Sequence, residues 1–269
     1  MNATADPITE TAEPILLRED DQGIVTLTLN RPAQYNALSS AMLDALQAAL
    51  DDIDADPEQR VVILAASGKA FCPGHDLKEM RASEDREYHQ ALFDKCARMM
   101  MTINRLRQPV IARVHGVATA AGCQLVANCD LAVAAEEAKF AVSGINVGLF
   151  CSTPAVPLSR NMGRKQAMHM LLTGDFIDAD TALQFGLVNV VVPAGELEAA
   201  TLEMAQKIVA KSPHAIALGK DMFYRQLPMD LSDAYAYASE RMACNMDSDD
   251  AREGIDAFIE KRRPSWSGK

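Results

Sequence analysis

Two turns rich in small residues have the clearest chemical potential in this sequence. The first, residues 70–79, follows a predicted buried strand, and the second, residues 116–125, opens a predicted helix. Small residues let backbone N–H groups approach a ligand oxygen, and a helix N-terminus adds unpaired donors and a positive dipole end. Together the turns can hold a carbonyl oxygen that becomes an enolate; alternatively, both are tight turns chosen for packing. Neither matches GxGxxG or GxxxxGK[ST], so nucleotide phosphate binding is not indicated.

The cysteines and histidines suggest little further chemistry. None of the six cysteines forms a CxxC pair, and most lie in apolar surroundings, which fits buried free thiols in a reducing compartment. Cys151 lies in an apolar run and is either a nucleophile or a packing residue. The five histidines show neither HxxxH nor HExxH spacing, so no metal site is predicted.

The composition indicates a soluble globular protein with little tendency to bind polyanions. The 269 residues are 49% hydrophobic and 23% charged, with a net charge of −11, which disfavours non-specific binding to nucleic acid and to anionic membranes. Residues 1–13 are polar and acidic, without an apolar core or an arginine, and resemble neither a secretory signal nor a matrix-targeting presequence. We therefore predict a disordered tail over residues 1–13, no membrane association and a cytoplasmic location.

Strand and helix patterns alternate through the body of the chain. Ser39 is a plausible helix N-cap, and the order strand–strand–helix recurs about every 40–50 residues. This indicates an α/β protein, built either as a superhelix of ββα turns or as an open sheet. The predicted strands are residues 24–29, 61–66, 109–114 and 130–134, and the predicted helices include residues 84–107 and 124–129.

The last quarter of the sequence is helical and lacks strand patterns. Helical spacing covers residues 197–211, 231–246 and 249–261. We predict a core over residues 14–196 and a C-terminal helical oligomerisation region over residues 197–269.

Several motifs in order resemble the enoyl-CoA hydratase/isomerase (crotonase) superfamily. The resemblance spans about residues 16–266 and implies a spiral of ββα repeats with a C-terminal helical region that forms trimers, or dimers of trimers. It also implies an acyl-CoA or enoyl-CoA thioester substrate in fatty-acyl-CoA metabolism, with no cofactor beyond the coenzyme A of the substrate. The motifs are Leu29-Asn30-Arg31-Pro32, Asn36-Ala37-Leu38, Ala70-Phe71, Gly74-His75-Asp76-Leu77, Gly122-Cys123, Cys129-Asp130, Leu172-Thr173-Gly174 and Gly186-Leu187-Val188.

The resemblance assigns roles to the two turns. It places the backbone N–H groups of His75 and Ala121 as oxyanion donors, while the His75 imidazole either acts as an acid or base or lines the pocket. Lys78 either meets CoA phosphates or is solvated, and Ala33 replaces a lysine that commonly contacts CoA. The other substrate-binding candidates are Arg31, Ala70, Gly74, Asp76, Leu77, Gly122, Gly144 and Ser152.

Two positions depart from the hydratase pattern. Gln124 and Gly144 stand where hydratases of the superfamily carry glutamates. An amide can hydrogen-bond and position a water but cannot exchange a proton at useful pH, and glycine has no side chain. Losing acid–base help typically costs ~10²–10⁴-fold per group. One subgroup of the superfamily shows these same features.

Three functions remain open at this stage. The first is enolate chemistry on an acyl-CoA, nominally hydration or isomerisation, with unconventional proton-transfer groups. The second is silent acyl-CoA binding, and the third is thioester hydrolysis with a water positioned by Gln124. The candidate proton-transfer groups are His75, Gln124, Ser143, Asn146, Cys151 and Ser152.

Overall fold

The computed structural model describes residues 13–269, so the predicted tail, except Glu13, lies outside the described residues. Within that range the chain forms ten strands and eleven α-helices. The strands are β1 Leu16–Asp21, β2 Ile24–Leu29, β3 Val61–Ala66, β4 Ala70–Cys72, β5 Val110–Val114, β6 Val117–Thr119, β7 Leu131–Ala135, β8 Lys139–Ala141, β9 Ile177–Asp178 and β10 Val190–Val192. The helices are α1 Ser40–Ala55, α2 Leu77–Arg81, α3 Arg86–Arg105, α4 Ala121–Asn128, α5 Ser152–Asn161, α6 Arg164–Thr173, α7 Ala179–Phe185, α8 Leu197–Val209, α9 Pro213–Gln226, α10 Leu231–Met246 and α11 Asp249–Glu260.

Two sheets are built in alternation along the chain. The six-stranded sheet has the order β1-β2-β3-β5-β7-β10, and the four-stranded sheet has the order β4-β6-β8-β9. Three successive strand pairs, β3–β4, β5–β6 and β7–β8, each give one strand to each sheet and are followed by helices. This is the spiral of ββα repeats, so the superhelix is confirmed and the single open sheet is not formed. Only β1 and β9 pair antiparallel with their neighbours within the described chain.

The centre of the larger sheet is buried on both faces, which explains the continuous apolar run of β3. Val62 and Leu64 face the main core, which includes α1 and α3, while Val61 and Ile63 face a second core. Side chains alternate across a strand, so a strand covered on both faces has no polar positions. The second core includes Leu197 and Ala205 of α8.

The C-terminal helices differ in what they cover. Helix α8 packs on the large sheet and α9 packs against α3, although the division at residue 197 assigns both to the C-terminal region. That division itself stays a prediction. Large apolar side chains lie exposed on α10 and α11, namely Leu231, Tyr235, Met242, Met246, Ile255, Phe258 and Ile259. Among the described helices, none combines the length and the apolar character needed to cross a membrane.

Helix α4 begins three residues earlier than the sequence pattern predicts. It starts at Ala121 rather than Gln124, because its N-terminus packs directly onto strand β4. A Cβ at Gly122 would overlap the carbonyl oxygen of Cys72, so only glycine permits this approach. Ala121 and Gly122, at the end of the small-residue segment, therefore belong to the first turn of the helix.

Candidate active site

The two turns identified in the sequence meet at Gly74 and Ala121. Gly74 has φ +106°, and a Cβ placed on it would lie 2.9 Å from the Cβ of Ala120 and 3.1 Å from the backbone nitrogen of Ala121. Glycine is therefore required at position 74 both for its backbone conformation and for the space. The end of β4 and the N-terminus of α4 are thus in direct contact.

Each turn offers a backbone N–H group. Leu38 forms a parallel bridge with His75, in which Leu38 donates to the Gly74 carbonyl at 2.8 Å and accepts from Asp76 N–H at 3.2 Å. In this pattern the N–H of the bridged residue, His75, is directed away from Leu38. Ala121 is the first residue of α4, where backbone N–H groups have no intrahelical partner.

Ala120, immediately before Ala121, has an unusual backbone conformation. Its φ of 47° and ψ of −119° lie in a region that favours glycine. The chain is held there because Ala120 N–H donates to Ala141 O at 3.0 Å and its carbonyl accepts from Gln124 N–H at 3.0 Å. Such residues cost about 1–3 kcal/mol and cluster where a functional group must be aimed.

The His75 imidazole is packed rather than paired. Its ring meets Phe93 edge-on, with centroids 5.4 Å apart and an interplanar angle of 86°. Within residues 13–269 its Nε2 atom is buried and has no hydrogen-bond partner. Burial lowers the pKa of His75, opposed more weakly by the charge of Glu79, so the neutral imidazole is favoured. Of the two predicted roles, this geometry fits lining of the pocket.

Gln124 is a buried amide with an unused acceptor. The residue is 4% exposed on α4, and its Oε1 atom has no hydrogen-bond partner in the part of the chain that the structure describes. An unpaired buried acceptor typically costs about 1–3 kcal/mol. A water or a substrate group that donates to Oε1 would remove this cost.

Gly144 is packed so closely that no side chain fits there. A Cβ would lie 2.6 Å from Leu149 O and 2.8 Å from the Cys151 Sγ atom. Cys151 itself is 7% exposed, and burial raises the pKa of its thiol although Gly144 N–H donates to the sulfur. The thiol is therefore the favoured form, so the geometry offers no activated nucleophile at Cys151.

Arg31 and Asp76 shape the first turn. Arg31 Nη2 lies 3.5 Å from Asp76 Oδ2, while Asp76 Oδ1 accepts from the N–H groups of Lys78 and Glu79 and caps α2. Lys78 is exposed. These carboxylate contacts stabilise the turn that presents His75.

The remaining candidates lie around this core. Ala33 is in an exposed one-turn helix, and Leu77 is 56% exposed. Ser143 and Asn146 belong to a short 3-10 helix, Ser143–Val147, which packs against α6. Ser152 opens α5 and its hydroxyl donates to Phe150 O at 3.3 Å.

Asn36 positions the first turn, a role that the sequence did not reveal. It is fully buried with φ 64°, and its Nδ2 atom donates to Ser67 O at 2.8 Å and Ala70 O at 2.9 Å. Its Oδ1 atom accepts from Arg31 N–H at 2.9 Å. Asparagine tolerates the left-handed conformation, and an asparagine between two predicted elements was the available signal.

The fold and the paired turns define the class of protein. The enoyl-CoA hydratase/isomerase family matches residues 19–269, and the chain belongs to this family. The particular relatives that it resembles carry the name enoyl-CoA hydratase domain-containing protein 3, mitochondrial. The mouse protein is 47% identical over 265 residues, covering 98% of this chain and 88% of that protein, and the human protein is 48% identical over 246 residues, covering 91% and 81%.

Solved structures agree with this assignment. An enoyl-CoA hydratase from Mycobacterium smegmatis superimposes with a TM-score of 0.93 at 60% identity, covering 94% of this chain and 99% of that one. Human enoyl-CoA hydratase domain-containing protein 3 superimposes with a TM-score of 0.92 at 45% identity, covering 94% and 100%. The subgroup resemblance and the fold class are therefore confirmed.

The predicted cytoplasmic location is wrong by this comparison. Relatives from mouse, rat and human that are 47–48% identical are named as mitochondrial proteins. The prediction depended on the composition of residues 1–13 and on apolar runs too short to span a bilayer. A location signal is a short segment outside the packed core, and the folded part of the chain carries no physical trace of it.

Proposed function

We propose that this chain binds an acyl-CoA or enoyl-CoA thioester and polarises its carbonyl between the N–H groups of His75 and Ala121. The observation that carries the proposal is the approach of Gly74 to the Ala121 nitrogen, which places the two turns side by side. Backbone donors fixed in this way stabilise an oxygen that gains negative charge without reorganising during the reaction. The names of the relatives support a thioester as the substrate.

The proton-transfer groups are the unusual part of this proposal. The family resemblance aligns Gln124 and Gly144 with the two hydratase glutamates, and neither residue carries a carboxylate. We assign Gln124 to water positioning, which its buried and unpaired Oε1 atom supports. The favoured reaction is enolate chemistry on the thioester, nominally hydration or isomerisation. Hydrolysis of the thioester is the second candidate, because a positioned water and an oxyanion hole suffice for it.

We further propose a homotrimer or a dimer of trimers. The exposed apolar side chains of α10 and α11 support this assembly, because a monomer rarely leaves such a surface uncovered. Sedimentation velocity of the full chain tests it. A monomer at micromolar concentration would contradict it.

A single incubation separates the candidate reactions. The protein is mixed with crotonyl-CoA and with longer 2-enoyl-CoA esters, while loss of the conjugated-thioester absorbance and release of free thiol are followed. Absorbance loss without thiol release indicates hydration or isomerisation, and formation of the 3-hydroxyacyl-CoA distinguishes hydration from isomerisation. Release of thiol indicates hydrolysis. Binding without either change indicates a silent acyl-CoA-binding protein, and failure to bind any CoA ester contradicts the proposal as a whole.

The variant Gly74→Ala tests the site itself. Its Cβ pushes against Ala120 and the Ala121 nitrogen, so we expect at least ~10-fold weaker CoA-ester binding or turnover, equivalent to about 1.4 kcal/mol. Gly186→Ala is the matched control, because Gly186 also has a positive φ of 83° but ends α7. Equal losses in the two variants would indicate a general folding defect rather than a site.

A further inference from the structure

A second group of exposed apolar side chains lies on helices α5 and α6 and on the loop before them, apart from the C-terminal helices. Helix α6 packs against both α5 and the 3-10 helix Ser143–Val147, so these three segments adjoin one another. Large apolar side chains that are exposed together in this way mark an interaction surface. The α5–α6 surface, as it is called below, comprises Val147, Leu149, Phe150, Val156, Met168 and Leu172.

The apolar side chains of this surface are interleaved with arginines at helical spacing. Met168 and Leu172 are four residues apart on α6 and lie on one side of it, and Arg164 is one turn before them. Val156 and Arg160 have the same spacing on α5. Each helix thus presents its cation beside its exposed apolar side chain.

Helices α5 and α6 are basic, although the chain has a net charge of −11. Residues 152–173 contain Arg160, Arg164 and Lys165 and no aspartate or glutamate. All three side chains are exposed. In residues 13–269 none of them forms a salt bridge. The α5–α6 surface therefore carries positive charge that the described chain does not compensate.

The exposed apolar side chains of α10 and α11 have the opposite electrostatic surroundings. Phe258 is 84% exposed and lies on one side of α11 with Ile255 and Ile259. Residues 231–260 contain eight acidic residues and two basic ones. The α10–α11 surface, as it is called below, comprises Leu231, Tyr235, Met242, Met246, Ile255, Phe258 and Ile259.

We propose that the α10–α11 surface of one copy of this chain docks on the α5–α6 surface of the next copy. Apolar side chains then meet apolar side chains, and negative charge meets positive charge. Two α10–α11 surfaces packed on each other would instead bring like charges together. The proposed contact joins two different surfaces, so it closes into a ring. Closure after three copies gives the proposed homotrimer, on which this inference rests; it does not depend on the thioester chemistry.

The docked helices cover the loop that closes on Gly144. Leu149 N–H donates to the Gly144 carbonyl at 2.9 Å, and the Leu149 carbonyl oxygen is the atom that a Cβ at Gly144 would meet at 2.6 Å. The side chains of Leu149 and Phe150 are 50% and 45% exposed on this loop. A neighbouring copy that packs on them holds the loop from outside, so assembly supports the geometry of the candidate active site.

One charge placed on either surface of the full chain tests the proposal by sedimentation velocity. Phe258→Asp disables the α10–α11 surface and Leu172→Asp disables the α5–α6 surface. Each variant alone should sediment as a monomer at concentrations at which the wild type is assembled. Met101→Asp is the matched control and should assemble like the wild type, because Met101 is 43% exposed on α3 and belongs to neither surface.

An equimolar mixture of Phe258→Asp and Leu172→Asp distinguishes the two possible kinds of contact. The intact α10–α11 surface of the Leu172→Asp chain can dock on the intact α5–α6 surface of the Phe258→Asp chain, and the pair then has no intact surface left. We therefore expect a 1:1 dimer in the mixture and no trimer. If α10–α11 surfaces packed on each other, Leu172→Asp alone would assemble as the wild type does.

The variant Arg164→Glu tests the electrostatic part of the argument. Reversing this charge places a carboxylate against the acidic α10–α11 surface, so we expect the dissociation constant of the assembly to rise at least ~10-fold. Arg98→Glu, at an exposed arginine of α3, is the control and should leave it unchanged.

Four outcomes would overturn the proposal. They are a monomeric wild type, full assembly of Leu172→Asp, a mixture that stays monomeric, and dissociation of Met101→Asp to the same extent as the two surface variants. Unfolding midpoints of all variants are measured alongside, so that dissociation is not confused with unfolding. Binding of butyryl-CoA is measured separately, because an assembled wild type that binds no CoA ester contradicts the proposed thioester site and leaves the interface intact.

Discussion

Lys220 Nζ lies 2.6 Å from Asp130 Oδ2, and the two side chains are 7% and 14% exposed. Lys220 also donates to Ile103 O at 2.8 Å and Gln108 O at 2.9 Å, so all three of its donors are used. Asp130 in turn accepts from Val110 N–H at 2.7 Å and Tyr224 O–H at 2.8 Å. This buried cluster joins α9 to the end of α3 and to the starts of β5 and β7.

Removing the cation from this cluster is expected to destabilise the fold strongly. Lys220→Met keeps the aliphatic stem but leaves Asp130 as a buried charge without its cation, a change that typically costs about 3–5 kcal/mol. The free energy of unfolding in urea measures it. Lys207→Met is the control, since Lys207 pairs with Glu203 at an exposed site where a salt bridge contributes about 0–1 kcal/mol. Similar losses of unfolding free energy in both variants would show that the buried Lys220–Asp130 pair stabilises the fold no more than an exposed salt bridge does.

Replacing the strained alanine with glycine is expected to stabilise the protein. Ala120→Gly removes a Cβ from a residue with φ 47°, so we expect a gain of about 1 kcal/mol. Ala127→Gly, inside the helix α4 that follows Ala120, has no such strain to release and should lose about 1 kcal/mol. Thermal unfolding should show a higher midpoint temperature for Ala120→Gly and a lower one for Ala127→Gly. A loss in Ala120→Gly would mean that the Cβ contributes more by packing than it costs in strain.

Glutamate introduced at position 124 should raise the hydration rate, whereas glutamate at position 144 should only destabilise the fold. Gln124→Glu fits the space of the amide. Its buried carboxyl can supply acid–base help, so the variant should hydrate crotonyl-CoA about 10²-fold faster. Gly144→Glu collides with Leu149 O and Cys151 Sγ, so we expect no gain and a loss of about 1–3 kcal/mol in stability. Steady-state rates and urea midpoints measure both. A rate gain in Gly144→Glu without loss of stability would contradict the packing described here.

The buried imidazole of His75 should make stability depend on pH. Burial holds the pKa of His75 below its ordinary value of 6.5, so the unfolded chain binds more protons below that pH. Stability is therefore fully present above about pH 6.5 and falls as the pH is lowered through the folded-state pKa. The slope of the urea midpoint against pH should be smaller in His75→Leu. It should not vanish, because burial also lowers the pKa of His115.

The control for this pH dependence is His169→Gln, at a side chain that is 58% exposed. This variant reports how much of the change in slope follows from replacing any histidine. An unchanged slope in His75→Leu would show that His75 is equally easy to protonate in the folded and unfolded chains.

Local patterns were sufficient for much of the fold. The predicted β3 and α10 have the observed bounds, because each is a regular element with clear ends. Ser39 caps α1 as predicted, since its hydroxyl accepts from Met42 N–H at 3.2 Å. The strand–strand–helix order was recognised, but the strands of the small second sheet were not located, because strands of two or three residues carry too little periodicity to detect.

Long-range contacts explain what the sequence could not show at the site. The approach of Gly74 to Ala121 joins two segments separated by more than forty residues, and the family resemblance rather than spacing suggested that they meet. The steric closure at Gly144 depends on Leu149 and Cys151 folding back over it. The Lys220–Asp130 pair spans ninety residues, so no local pattern marks it.

Strand β1 is an edge of the large sheet, and its last four residues are Arg18, Glu19, Asp20 and Asp21. An open strand edge is a template on which another chain can add a strand and begin to aggregate. Here any incoming strand would have to pair beside charged side chains, with Arg18 held by Asp20 at 2.8 Å. The acidic residues at this edge therefore protect the protein in concentrated solution, and substituting them with apolar residues should produce fibrous or amorphous precipitate without altering the core.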